Sequence, residues 1–127
     1  MSGVRRVLLI EDEEDIRRVA QLSLERIGRF DVLLAGSGAE GLALAEAEQP
    51  DAILIDYMMP DLDGPETIRR LRANPATASI PVVMLTAMAA PGGAPADAGL
   101  GVVAVFAKPF DPISLPRELA RVLGWTT

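Results

Sequence analysis

The sequence predicts an α/β fold, a five-stranded parallel sheet doubly wound by helices. Two observations carry this prediction. Five short apolar runs recur along the chain without polar alternation, as strands buried on both faces require. Stretches with apolar residues at helical spacing lie between them, so strand and helix alternate as βα units. The 127 residues match the roughly 100–150 of one domain, and 50% of them are hydrophobic, ample for one packed core. A single domain over residues 1–127 is expected.

The strand runs are Val7-Leu8-Leu9-Ile10, Val32-Leu33-Leu34-Ala35, Ala52-Ile53-Leu54-Ile55, Val82-Val83-Met84-Leu85 and Val102-Val103-Ala104-Val105-Phe106. After the first run, Ile16, Val19, Ala20, Ser23 and Ile27 recur on one helical face, and Gly28 stands where a C-terminal cap belongs. Ala39 to Glu48 is rich in helix formers and stops before Pro50. Asp63 can cap a third helix, with Pro65 in its first turn and Ile68 and Leu71 facing inward. The connection from Ala87 to Gly101 holds Pro91, Gly92, Gly93, Pro95 and Gly99. Any helix there must be short, near Pro95 to Leu100, and this stretch is expected to be the most mobile. Leu115 to Leu123 forms the last helix, ended by Gly124. The whole reads as a flavodoxin-like (βα)5 sandwich, and such sheets bind ligands beyond the carboxyl ends of their strands.

Composition removes several chemistries. There is no cysteine and no histidine, which excludes disulfides, thiolate nucleophiles, Ser-His-Asp triads and histidine-ligated zinc. The net charge of −6 argues against direct nucleic-acid binding, which needs clustered bases. No apolar run approaches the roughly 20 residues of a membrane span, and the four apolar residues before Glu11 are too few for a signal-peptide core. A cytoplasmic protein without membrane contact is expected. Eleven of the twelve bases are arginine, and Lys108 is the only lysine.

The strand ends carry complementary groups. The first run leads into Glu11-Asp12-Glu13, the third into Asp56, the fourth into Thr86-Ala87 and the fifth into Lys108-Pro109. Carboxylates about 4 Å apart repel by about 4 kcal/mol at a surface-like dielectric. Glu11, Asp12 and Asp56 together therefore need counter-charge, which Lys108 and a hard divalent cation such as Mg²⁺ would supply. A carboxylate so placed can act as a nucleophile toward phosphorus.

These residues also resemble a known family. Leu8 to Glu13 is similar to the first strand of bacterial response-regulator receiver domains, and Ile55-Asp56-Tyr57-Met58-Met59-Pro60-Asp61-Leu62-Asp63-Gly64 to their phospho-acceptor segment. Leu85-Thr86-Ala87 and Lys108-Pro109-Phe110 complete the set, and the resemblance runs from Val7 to Leu123. It implies a two-component or phosphorelay switch rather than a metabolic enzyme. Asp56 would accept a phosphoryl group from a phosphohistidine on a sensor histidine kinase or histidine phosphotransfer protein. Asp12, Asp56 and the Met58 backbone carbonyl would bind Mg²⁺, with Glu11 directly or through water. Thr86 and Lys108 would contact the phosphoryl group, Ala87 would leave it room, and the Lys108-Pro109 bond would be cis. Phosphorylation would bias the surface formed by the fourth helix, the last strand and the C-terminal helix toward a downstream partner protein. The four residues after Leu123 suggest a stand-alone receiver, with a phosphoryl shuttle or an excised receiver as the alternatives.

Two departures from the family pattern stand out. Val105 occupies the position of a switch aromatic, and Phe106, one residue later, is expected to face the opposite way and pack in the core. Met58 and Met88 follow Asp56 and Thr86 by two residues, where polar side chains would orient a hydrolytic water, so slow autodephosphorylation is expected. Two rival readings are weaker. Gly36-Ser37-Gly38-Ala39-Glu40-Gly41 matches G-x-G-x-x-G, with Asp56 15 residues on, but it follows the second strand, not the first. An aspartyl-phosphate phosphohydrolase would need an acid where Met58 stands. Arg5-Arg6 and Arg69-Arg70 read as solvated pairs, and Trp125 as a packing or fraying residue.

Overall fold

The computed structural model describes residues 4–87 and 100–125. Its strands are β1 (Arg6–Ile10), β2 (Asp31–Ala35), β3 (Ala52–Asp56), β4 (Val82–Thr86) and β5 (Ala104–Ala107). All pair in parallel, in the order β2-β1-β3-β4-β5. The described helices are α1 (Glu14–Leu22), α2 (Gly38–Glu48), α3 (Gly64–Ala73) and α4 (Leu115–Leu123), and a π-helical turn, Ser23–Ile27, continues α1. No helix among the described residues is long and apolar enough to cross a membrane.

The continuous apolar strands divide by parity, because successive side chains leave opposite faces. Leu8, Ile10, Ile53, Ile55 and Met84 pack with Ala45 of α2 and Ile68 and Leu71 of α3. Val7, Leu9, Leu54, Val83 and Leu85 pack with Ala20, Leu24, Leu115 and Leu119 on the other face. Every residue of β3 and β4 is buried, as the sequence reading requires, but the edge strands β2 and β5 are largely half-buried. An edge strand has a neighbour on one side only, so an apolar run there does not imply full burial.

Helix starts follow local chemistry. Asp63 accepts a hydrogen bond from the Glu66 amide at 2.9 Å and Pro65 lies in the first turn of α3, as expected. Ser37 accepts from the Glu40 amide at 3.1 Å, while the Glu40 carboxylate accepts from the Gly36 amide at 2.8 Å. Backbone donors that would cradle a pyrophosphate are thus occupied by the protein's own side chains. A Cβ on Gly41 would run into Ile10, and one on Gly38 into Thr67. The glycine motif serves close packing here, and the dinucleotide reading loses its support.

Three expectations need correction. The last strand begins at Ala104 rather than Val102. Val19 and Ile27 do not face the core: they are 44% and 46% exposed. A π turn holds more residues per turn than an α-helix and shifts the phase of everything after it. Ile27 leaves the inner face for that reason, while Ser23 and Leu24 stay buried. Gly28 is not the left-handed cap, since its φ is −79°; Arg29 takes that conformation at φ 61°. Gly28 is required by close approach instead: a Cβ would lie 2.8 Å from the Leu24 carbonyl oxygen and 2.8 Å from Pro116 Cβ.

The two arginine pairs differ. Arg69 and Arg70 both pair with Glu66 on the exposed face of α3. Arg6 is tied down, with its guanidinium 2.7 Å from Glu48 and its amide donating to Asp51 at 2.8 Å. The Arg5 guanidinium lies over the Trp125 ring, 5.1 Å from its centroid, and Trp125 meets Phe30 edge-on at 5.4 Å. Trp125 is therefore a packing residue. Met88 and the short helix expected near Pro95 lie outside the described residues, apart from Leu100.

Gly28→Ala is expected to lower stability by about 1–3 kcal/mol, because backbone and a proline ring flank the added methyl. Urea denaturation at unchanged m-value checks it; an unaltered midpoint would show that α4 can draw back freely.

Candidate functional site

The register of the sheet assembles the site. Leu9 pairs with Leu54 and Ile10 with Ile55, so one step further brings Glu11 beside Asp56, at the spacing of neighbouring strands, about 4.8 Å. Glu11 stands two residues after Leu9, Asp56 two after Leu54 and Lys108 two after Phe106. All three continue the parity that faces α1 and α4. Thr86 ends β4, next to the Leu85 that pairs with Asp56. The Lys108 amide donates to the Thr86 carbonyl at 2.9 Å, which carries β5 pairing one residue beyond the strand.

Lys108 Nζ lies 3.0 Å from Asp56 Oδ1 and 3.2 Å from Glu11 Oε1. Glu11, Asp56 and Thr86 are buried, and Asp12 is half-buried. The remaining Glu11 oxygen accepts from the Glu13 amide at 3.2 Å. Burial pushes the Glu11 carboxyl up to about 7, helped by the charge of Asp56 and opposed by the Glu13 amide and Lys108. Burial also raises Asp56, against the pull of Lys108. Burial alone would lower the Lys108 ammonium, but its hydrogen bond to Asp56 and the Glu11 charge hold it above its ordinary value.

Oxygen atoms of Glu11, Asp12 and Asp56 all lie within 4.8 Å of one another. Three carboxylates against one ammonium leave two negative charges on a set of hard oxygen donors. That donor set fits a divalent cation such as Mg²⁺.

The backbone around the cluster is held from two sides. Arg17 Nη1 of α1 donates to the Glu11 carbonyl at 2.9 Å and to the Asp12 carbonyl at 3.4 Å. The Gly64 amide donates to the Tyr57 carbonyl at 2.9 Å, and a Cβ on Gly64 would lie 2.6 Å from the Asp56 carbonyl oxygen. The sequence reading missed Arg17; the available signal was a cation in the first turn of the helix that follows an acidic run. It also missed Arg72, whose guanidinium donates to the Ala78 and Ile80 carbonyls at 3.0 and 2.8 Å. Met58, two residues after Asp56, is 62% exposed. Val105 packs with the α2 and α3 face and Phe106 with the α1 and α4 face, so Phe106, half-buried, packs against the core turned away from the Val105 position, as expected.

A buried carboxyl with a raised pKa holds its proton more tightly folded than unfolded. Its native form is therefore favoured at low pH and loses ground as pH rises, for Glu11 between about 4.5 and 7. Metal-free protein is expected to lose stability across that window. Asp56→Asn, which removes one of the two adjacent buried charges, should raise stability at pH 8 by on the order of 1–2 kcal/mol and leave it nearly unchanged at pH 4. Chemical denaturation in chelator at both values checks this; equal effects at the two would sink it.

The model of the response regulator receiver domain family matches residues 7–120. The chain is 36% identical over 119 residues to the alkaline phosphatase synthesis transcriptional regulatory protein PhoP of Bacillus subtilis, covering 94% of this chain and 48% of that protein. It is 39% identical over 117 residues to the DNA-binding dual master transcriptional regulator RpaA of Synechocystis, covering 92% and 47%. The chain thus spans about half the length of these curated relatives. Among solved structures, the chemotaxis response regulator CheY4 of Vibrio cholerae superposes with a TM-score of 0.86 at 30% identity, covering 94% of this chain and 99% of that one. The N-terminal domain of a response regulator receiver protein from Methanoculleus marisnigri gives 0.77 at 33% identity, covering 98% and 100%. With the sheet order, the acidic cluster and its lysine, these matches establish that the chain belongs to the response regulator receiver domain family of two-component signalling.

Proposed function

We propose that Asp56 is the phospho-acceptor of this receiver, taking a phosphoryl group from a phosphohistidine on a sensor histidine kinase or histidine phosphotransfer protein. The observation that carries the reading is the 3.0 Å contact between Lys108 and a buried Asp56 already crowded by Glu11 and Asp12. The Lys108 ammonium opposes the upward push of burial on the Asp56 carboxyl and so favours its charged, nucleophilic form in a water-poor site. An Asp56 oxygen attacks phosphorus, an O–P bond forms as the P–N bond to imidazole breaks, and the departing imidazole takes up a proton.

Glu11, Asp12, Asp56 and the Met58 carbonyl are the residues that would hold Mg²⁺. When bound, the ion supplies neutralisation of the phosphoryl oxygens. Lys108 would pair with one of those oxygens, the Thr86 hydroxyl would donate to another, and Ala87 would leave space for the group. Phosphorylation changes the charge at Asp56 by about −1. Lys108 then moves its contact from carboxylate to phosphate, and its amide bond to the Thr86 carbonyl couples the ends of β4 and β5. Phosphorylation thereby biases a surface that includes β5 and α4 toward a downstream partner protein. With Val105 at the aromatic position, this coupling runs through the two strand ends rather than through a ring.

Incubation with Mg²⁺ and acetyl phosphate should label the protein on Asp56, and Asp56→Asn should abolish the label; equal labelling of both would refute the proposal. The phosphoryl group should be long-lived, since neither the exposed Met58 nor Met88 can orient water. Met58→Asn is expected to shorten its lifetime by on the order of tenfold, read as decay of the labelled protein after removal of donor.

A further inference from the structure

We propose that a second site, at the end of the sheet opposite Asp56, binds an acidic segment of a partner protein that carries apolar side chains. The site is a groove of about 710 Å³ between the π turn that follows α1 and the outer face of α4. Its floor is the edge-to-face pair of Phe30 and Trp125. Arg29, Arg117 and Arg121 line it, and among the described residues no carboxylate does, in a chain whose acids outnumber its bases 18 to 12. Arg121 pairs with Glu118; Arg29 and Arg117 have no ion pair among the described residues. At the rim, Ile27 and Ile113 are 46% and 67% exposed.

Arg29 supplies an independent argument. It ends the π turn in the left-handed conformation at φ 61°, with the next amide, that of Phe30, donating to the Leu24 carbonyl at 3.0 Å. Glycine adopts that conformation without strain and is the residue that helix ends ordinarily place there. Here that position carries a guanidinium that lines the groove.

Both halves of the groove specify the ligand. Guanidinium groups match carboxylates in a bidentate fashion, and apolar walls that exclude water strengthen the pairing. Ile27, Ile113 and the aromatic floor would be covered by apolar side chains. A nucleic-acid backbone would satisfy the arginines and leave those residues exposed. The site uses none of the residues assigned to phosphoryl transfer and does not depend on that chemistry.

Trp125 is the only tryptophan, so its fluorescence reports on the groove directly. The probe is a synthetic peptide of about 16 residues with leucine at helical spacing and glutamate between, titrated at about 50 mM salt. Saturable change in Trp125 emission is expected, with half-saturation at roughly 10–100 µM and weakening as salt rises. Arg29→Gly and Arg117→Gln should each weaken binding about three- to tenfold. Arg29→Gly should also melt no lower than the parent, which separates lost binding from lost folding. The proposal is overturned if the peptide gives no saturable change, if lysine in place of glutamate or serine in place of leucine binds as well, if neither substitution weakens binding, or if a short DNA duplex displaces the peptide.

Discussion

One ammonium set against three carboxylates governs this molecule. Lys108 bridges Glu11 and Asp56 in a place from which most water is excluded, and its charge opposes the upward push that burial gives both carboxyls. The cluster is a standing excess of negative charge, tolerable because it lies at the rim of the sheet and can take up protons or a cation. The rest of the structure holds these groups closer together than they would choose. Parallel pairing sets Glu11 beside Asp56, and the last pairing beyond β5 brings Lys108 across β4 to meet them.

Holding like charges together demands a stiff frame, and the frame is backbone-to-backbone. β1, β3 and β4 are almost wholly buried, so their register cannot slip without turning the apolar sets of both faces outward. Gly64 lets α3 start against the Asp56 carbonyl, and Gly41 lets α2 lie against Ile10. Arginines act as clamps on carbonyl groups: Arg17 on the acidic turn, Arg72 on the approach to β4. Guanidinium forks suit this task, whereas the compact ammonium is kept for the site.

The fold and the charged cluster were legible in the sequence because both follow from short-range pattern. Apolar runs mark buried strands, and the residues two beyond Leu9, Leu54 and Phe106 inherit their face. Edge effects were not legible: β2 and β5 read like central strands but have one open side. The π turn was also hidden, since no residue in Ser23–Ile27 announces it, and it rotated Ile27 out of the core and moved the left-handed residue to Arg29. Arg5 read as solvent-facing because its partner, Trp125, is far off in sequence.

The sequence by itself determined the βα order, the helix cap at Asp63, and the set of groups that follow the strands. These depend on chemistry within a few residues, where geometry is nearly fixed. Only the tertiary structure decided how close Lys108 comes to two acids, that Arg17 secures the acidic turn, and that arginines from a turn and a distant helix share one aromatic-floored groove. Each of these joins residues brought together by packing, and no local pattern records which distant segments the core will press against each other.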